Sequence, residues 1–232
     1  MYNALPRLLY AVIASSLVWS IQTAHAEVLN SPADLQNNPR LKAYLWSRPM
    51  NEMLFRLGQA QDQQLGIQTS CQSETQVKPM GLVILSPIEL PNTEQTPSAG
   101  AWLSRYEFTR CGESKIYNAL FSVNPTTGEI EHEAYIPGNT MANPLLVRDA
   151  MASALISATA RSNMQHCKDV TVFDMQVTDA PRTVQTNGTR TLGGGWREKW
   201  IMNVCGKTVD VPITFTPSRS GGTTFNIESE GL

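Results

Sequence analysis

The chain has 232 residues, of which 41% are hydrophobic and 16% are charged, and its formal net charge is −2. This composition is typical of a globular protein and argues against a disordered chain or a collagen-like fibre. The lack of a basic excess also argues against a nucleic-acid-binding protein.

The first 26 residues have the pattern of a secretory signal peptide. Arg7 precedes an apolar run from Leu8 to Ile21, and Ala24-His25-Ala26 follows as an A-x-A cleavage site. The run is shorter than the roughly 20 residues that span a bilayer, although an uncleaved membrane anchor is the alternative. We expect a periplasmic or secreted mature protein that begins at Glu27 and has no transmembrane segment, with a bacterial periplasm as the favoured compartment.

Helices are predicted first in the mature chain. Asp34 or Asn38 is a candidate N-cap, and Pro39 is placed to occupy the first turn of a helix whose apolar residues recur at helical spacing. These apolar residues are Leu41, Tyr44, Leu45, Met53, Leu54 and Leu57. Because proline lacks an amide hydrogen and clashes with the preceding turn, Pro49 is expected to divide the segment into two helices.

Four strands are predicted to follow these helices. The apolar run Leu82–Leu85 is typical of a buried strand, and a turn-rich stretch follows at 91–100. A strand from Trp102 to Cys111 comes next, and then an alternating strand over 117–123 and a last strand over 130–136. Strands joined by short turns form an antiparallel meander.

The second half has the same order of elements. Asn143 and Pro144 predict the start of a helix over 145–164, whose Ala- and Ser-rich part at 150–160 indicates close packing on a sheet. Strands are predicted over 170–177, 196–205, 209–215 and 223–227, with a turn-rich stretch over 180–195. Helices packed on antiparallel sheets make the predicted class α+β.

A motif occurs once in each half. Trp102–Gly112 aligns with Trp196–Gly206 as W-x-x-x-aromatic-x-apolar-x-x-C-G, 94 positions apart. The following alternating strands align at an offset of 92, which predicts two extra residues after the first Cys-Gly. We therefore predict two tandem repeats, at 27–136 and 144–232, joined by a linker at 137–143. Each is expected to pack a helical segment on a four-stranded meander.

This order of elements resembles the helix-on-curved-sheet arrangement of cystatin-like and NTF2-like domains. The repeated W-x-x-x-W/Y…C-G motif, together with Phe215-Thr216-Pro217 and Gly221–Phe225, resembles exported Gram-negative proteins of unassigned function. That resemblance covers mostly the second half and implies export, but it implies no activity, because fold does not determine function.

Four cysteines lie after the predicted cleavage site, at Cys71, Cys111, Cys167 and Cys205. An even number in an oxidising compartment favours two disulfides. A zinc site is the alternative, but the chain has no CxxC pair and only two histidines after residue 26. Of three possible pairings, the local pairs Cys71–Cys111 and Cys167–Cys205 are favoured.

The aromatic side chains of the repeated motif form the candidate binding surface. Alternation on a strand places Trp102 and Tyr106 on one face and Arg105 on the other, and Trp196 and Trp200 opposite Lys199 in the same way. The aromatic residues are interpreted either as core beneath the helices or as a groove for a ligand or peptide. The basic residues are interpreted either as solvated or as a site for phosphate or an anionic glycan.

Glu129, Glu131 and Glu133 alternate around His132 and would share one face of a strand. Such carboxylates suit calcium binding or acid–base chemistry, but a solvated edge strand is the favoured interpretation.

Catalytic motifs are missing from the sequence. The histidines His132 and His166 lie near no GxSxG, and HExxH, a Walker loop and GxGxxG before a helix do not occur. We therefore predict an exported, disulfide-stabilised, non-catalytic protein that binds a protein, peptide or envelope component, with no metal, cofactor or nucleic acid. The alternatives are a periplasmic carrier of a small molecule or lipid, and a hydrolase or inhibitor-like module.

Overall fold

The computed structural model describes residues 26–67, 75–186, 189–218 and 221–228. The predicted signal peptide therefore lies almost entirely outside the described residues. The helices are α1 (Pro39–Leu45), α2 (Arg48–Gln64) and α3 (Pro144–Ser162), and Pro32–Asn37 forms a short 3-10 helix. The strands are β1 (Glu27–Leu29), β2 (Thr75–Leu90), β3 (Ala99–Arg110), β4 (Glu113–Val123), β5 (Ile130–Tyr135), β6 (Val170–Asp179), β7 (Arg182–Thr186), β8 (Thr189–Gly193), β9 (Trp196–Val204), β10 (Lys207–Pro217) and β11 (Thr223–Ile227).

The first sheet has five antiparallel strands in the order β1-β2-β3-β4-β5. The strand predicted at Leu82–Leu85 is the middle of the much longer β2, which bends at register shifts near Pro79 and Ser86. Strand β1 was not predicted, and it pairs only with the last three residues of β2. The rest of the outer edge of β2 has no partner strand in the part of the chain that the structure describes.

Each of the two α-helices that precede this sheet has a proline in its first turn. As predicted, Pro49 separates two helices, because it lies in the first turn of α2, where its missing amide hydrogen costs nothing. Ser47 caps α2 by accepting a hydrogen bond from the Met50 amide at 3.4 Å. Asn38 occupies the cap position of α1, but its side chain instead donates to the Asp34 carbonyl.

The second sheet has four antiparallel strands in the order β11-β10-β9-β6. Helix α3 begins as predicted, since the Asn143 side chain accepts a hydrogen bond from the Leu146 amide at 2.9 Å and Pro144 opens the first turn. Ala150, Ala154 and Ala158 are completely buried, so the predicted small-residue face packs closely on the sheet.

The stretch predicted as turns at 180–195 contains two further strands. Strands β7 and β8 pair as a separate antiparallel hairpin between β6 and β9. The Asn187-Gly188 dipeptide that separates them is a strong hairpin signal in sequence, and it lies outside the described residues. The prediction of irregular turns is therefore wrong for these ten residues.

The two Cys-Gly turns are closely similar. Cys111 and Gly112 both have positive φ, as do Cys205 and Gly206, and each pair is the two-residue loop of a hairpin. Trp102 pairs with Phe121 in the first sheet, and Trp196 pairs with Phe215 in the second. Because the loops are equally long, each residue of the second pair lies 94 positions after its counterpart in the first. The predicted two-residue insertion after the first Cys-Gly is therefore wrong. An insertion of two residues leaves the alternation of strand side chains unchanged, so the buried faces were still assigned correctly.

The protein thus has a mixed α+β fold with two antiparallel sheets. Helix α2 packs on the first sheet and α3 on the second, and each helix–sheet pair encloses its own cluster of buried apolar side chains. Within the described residues, no helix combines the length and apolar character needed to cross a membrane.

Candidate functional site

The four aromatic residues of the predicted binding surface lie in the two cores. Trp102, Tyr106 and Trp200 have no exposed surface, and Trp196 is 9% exposed. Trp102 stacks on Phe121 with ring centroids 5.3 Å apart, and Trp196 stacks on Phe215 at 4.9 Å. These side chains contact protein rather than solvent, so the interpretation as core describes their positions and the interpretation as a groove does not.

The predicted disulfide of the second half is present in the structure. Cys167 and Cys205 form a disulfide with Cα atoms 5.9 Å apart, which ties the end of the α3 region to the β9–β10 turn. The other predicted pair, Cys71–Cys111, includes Cys71, which lies outside the described residues, and it stays a prediction.

A buried carboxylate lies between the two tryptophans of the second half. Glu198 has no exposed surface, and alternation along β9 places it on the same face as Trp196 and Trp200. Its oxygens accept hydrogen bonds from the Trp196 Nε1 and Trp200 Nε1 atoms, both at 2.8 Å. They also accept from the Thr140 hydroxyl at 2.7 Å and the Met141 amide at 2.9 Å. A buried carboxylate held by this many donors fixes the groups that donate to it.

Those donors belong partly to the segment at 137–143, which β3 also holds. Arg105 donates to the Thr140 carbonyl at 2.9 Å, to the Asn139 side chain at 2.6 Å and to the Asn118 side chain at 3.1 Å. Burial lowers the pKa of Arg105, and the negative charge of Glu198 partly offsets this effect. Arg105 therefore anchors the segment between the sheets instead of presenting a free cation.

Other predicted polar residues are also engaged with protein groups. Lys199 lies 3.3 Å from Asp210, and Glu131 accepts a hydrogen bond from Asn124 at 2.7 Å. The Glu131 and Glu133 side chains are exposed on β5, an edge strand, where charges discourage pairing with another sheet. Among the described residues, no group of His, Cys, Asp and Glu is arranged to hold a metal ion.

A cleft lies where the two sheets meet, with a volume of about 620 Å³. We call it the junction cleft. The beginning of β4 forms one wall and the middle of β6 forms the other, with Asn139 between them. The lining residues include Ser114, Lys115, Ile116, Phe173, Asp174, Met175 and Val177.

Both walls of the junction cleft are strand edges. Strand β5 pairs with β4 only from Asn118 onward, and β6 is the edge strand of the second sheet. The Gly138 amide donates to the Ile116 carbonyl at 2.8 Å, and the Asn139 amide donates to the Met175 carbonyl. These bonds identify the sides of β4 and β6 that face outward. The main-chain N–H and C=O of a residue in an antiparallel strand point to the same side, and every second residue repeats that direction. The main-chain groups of Ser114, two positions from Ile116, and of Val177, two positions from Met175, therefore also point outward.

The charges in the junction cleft nearly cancel. The Lys115 Nζ atom lies 3.8 Å from the centre of the Phe173 ring, so a cation–π contact joins the two walls. Burial lowers the pKa of Lys115, while Asp174 opposes this shift. The cleft thus combines strand edges, an aromatic ring and a balanced pair of charges.

The chain matches no protein family, no curated protein and no solved structure.

Proposed function

We propose that this protein is an exported, disulfide-stabilised, non-catalytic interaction protein that binds an extended peptide segment at the junction cleft. The observation that carries the proposal is the pair of outward strand edges, one from each sheet, on opposite walls of one cleft. An extended peptide that adds a strand to such an edge gains main-chain hydrogen bonds without further folding of the protein.

The chemistry of the cleft favours a peptide over a strongly charged ligand. The Ser114 and Val177 main-chain groups offer both donors and acceptors, which is what an extended main chain requires. The Lys115 and Asp174 charges balance, so they impose no strong preference for an anion or a cation. Phe173 and Ile116, which are both partly exposed, provide apolar surface for side chains of the peptide.

We further propose that the two helix–sheet units are the tandem repeats predicted from the sequence, with a cystatin-like or NTF2-like shape. The equal Cys-Gly turns and the common offset of the Trp–Phe pairs support a duplication. Each repeat then supplies one strand edge, β4 or β6. The linker at 137–143 is bonded to both strands and holds the edges at a fixed separation.

The test first selects a peptide that binds the protein and then removes one main-chain hydrogen-bond donor of the protein, the Val177 amide. The mature chain, residues 27–232, is screened against a phage-displayed random-peptide library, and the selected peptide is synthesised and titrated calorimetrically. Val177→Pro removes the outward amide hydrogen while leaving proline at an edge position that tolerates it. We expect the dissociation constant to rise by about tenfold, the effect of one lost hydrogen bond with its desolvated partner.

Val177→Thr is the matched control, because it keeps the amide hydrogen and the branched shape of the side chain. It is expected to bind the peptide within about threefold of the unmodified protein. Circular dichroism of both variants confirms that they fold. Equal affinity of Val177→Pro and Val177→Thr, or failure to select any peptide, would overturn the proposal.

A further inference from the structure

A second concave site is lined by residues of α2 and its surroundings that take no part in the junction cleft. It has a volume of about 710 Å³ and lies between the first half of α2 and the start of β2. We call it the helix pocket. Its apolar walls are Trp46, Phe55 and Val77, and its polar lining consists of Arg48, Asn51, Glu52 and Arg56. This volume lies in the range of sites that bind small organic molecules.

Trp46 distinguishes the helix pocket from the two cores. It is 38% exposed, whereas Trp102, Trp196 and Trp200 are buried. The partly exposed indole of Trp46 lines the same pocket as the Phe55 ring. Covering this apolar surface with an apolar ligand is favourable. The pocket therefore has a place for the hydrocarbon part of a ligand.

The cations of the helix pocket are unequally engaged. Arg48 forms an ion pair with Glu52 at 2.7 Å, one turn further along α2. Arg56 is exposed and has no ion pair or hydrogen bond with any residue that the structure describes. With Arg48 and Arg56 set against the single carboxylate of Glu52, the pocket lining has one uncompensated positive charge.

We propose that the helix pocket binds an anionic amphiphile, with an aliphatic chain between Trp46 and Phe55 and a carboxylate on Arg56. A guanidinium holds a carboxylate through two parallel hydrogen bonds, so the head group is fixed while the chain fills the apolar part. This site shares no lining residue with the junction cleft and does not depend on peptide binding there.

Titration of the mature chain with dodecanoate tests the proposal, since Trp46 reports on the site by its fluorescence and calorimetry reports on affinity. Dodecanol is the uncharged comparison. We expect dodecanoate to bind at least about tenfold more tightly than dodecanol, and Arg56→Gln to remove most of that preference, as expected when a charge-assisted contact is lost. Trp46→Phe should abolish the fluorescence change while calorimetric binding persists.

Arg148→Gln is the matched control, because Arg148 is an exposed arginine on α3 outside the pocket. It is expected to bind dodecanoate like the unmodified protein. The proposal is overturned if dodecanoate does not bind, if dodecanol binds equally well, or if Arg56→Gln and Arg148→Gln have the same affinity.

Discussion

Arg105 and Glu198, on different sheets, hold the same threonine. The Arg105 guanidinium donates to the Thr140 carbonyl at 2.9 Å, and the Thr140 hydroxyl donates to Glu198 at 2.7 Å. One residue of the connecting segment is thereby bound to β3 through its main chain and to β9 through its side chain. This bridge ties the connecting segment, whose Asn139 lines the junction cleft, to both sheets.

Glu198→Gln is expected to destabilise the protein by about 3 kcal/mol, measured by urea unfolding. The substituted amide has only one acceptor oxygen, and in either orientation its NH₂ group would face one of the two indole donors, because Trp196 and Trp200 donate to different oxygens of Glu198. Glu131→Gln is the control, because Glu131 is exposed and a change within about 0.5 kcal/mol is expected there. Equal stability of the two variants would show that the buried carboxylate does not hold the segment.

Two buried tyrosines are expected to respond oppositely to loss of the hydroxyl group. The Tyr117 hydroxyl donates to Asp62, whose other oxygen lies 2.8 Å from Arg110 Nε, so Tyr117→Phe should cost about 2 kcal/mol. The Tyr106 hydroxyl is buried and has no hydrogen-bond partner among the described residues. Tyr106→Phe should therefore be neutral or stabilise by about 1 kcal/mol. Calorimetric unfolding distinguishes them, and destabilisation of similar size in both variants would contradict this assignment.

Gly138 is expected to tolerate no side chain. Its φ is +99°, and a Cβ atom there would lie 2.1 Å from the Met175 amide nitrogen. Gly138→Ala should destabilise by about 3 kcal/mol or more, because the main chain of β6 must move. Gly128 also has a positive φ but nothing within 4 Å, so Gly128→Ala should cost only about 1 kcal/mol. Unfolding free energies that match between the two variants would refute close contact of the segment with β6.

Alkaline pH should destabilise the protein through its buried tyrosines. Burial raises the pKa of Tyr44 to about 12 and also raises the pKa of Tyr106 and Tyr117. Since unfolded tyrosine ionises near pH 10, stability present below that pH is lost as the pH rises towards about 12. Tyr106→Phe should reduce the slope of unfolding free energy against pH by about 1.4 kcal/mol per pH unit in this window. Parallel slopes for the variant and the unmodified protein would contradict the prediction.

Local chemistry explains which elements were predictable. Asn143 and Pro144 specify a helix start through capping and proline geometry, and the apolar alternation from Trp102 specifies a half-buried strand, so both were assigned from sequence. Strand β1 has only three residues and no period to detect. The length of β2 was missed because Pro79 and Gly81 interrupt its pattern, although its bends accommodate them.

The candidate site depends on contacts that local sequence does not encode. Glu198 shares strand parity with Trp196 and Trp200, which was an available sign of a buried carboxylate. Its partner Thr140 lies 58 positions away, so no spacing rule connects them. The junction cleft likewise requires β4 and β6 to face each other, which follows from the packing of two sheets and not from either strand alone.

Hydrogen exchange of the complex tests strand addition most directly. With the selected peptide bound, the outward amides of Ser114 and Val177 are monitored residue by residue by NMR, and amides along β11, at the opposite edge of the second sheet, serve as the internal control. We predict at least about tenfold slower exchange at Ser114, Val177 or both, with β11 unchanged. Binding of the peptide with no slowing at either residue would contradict it.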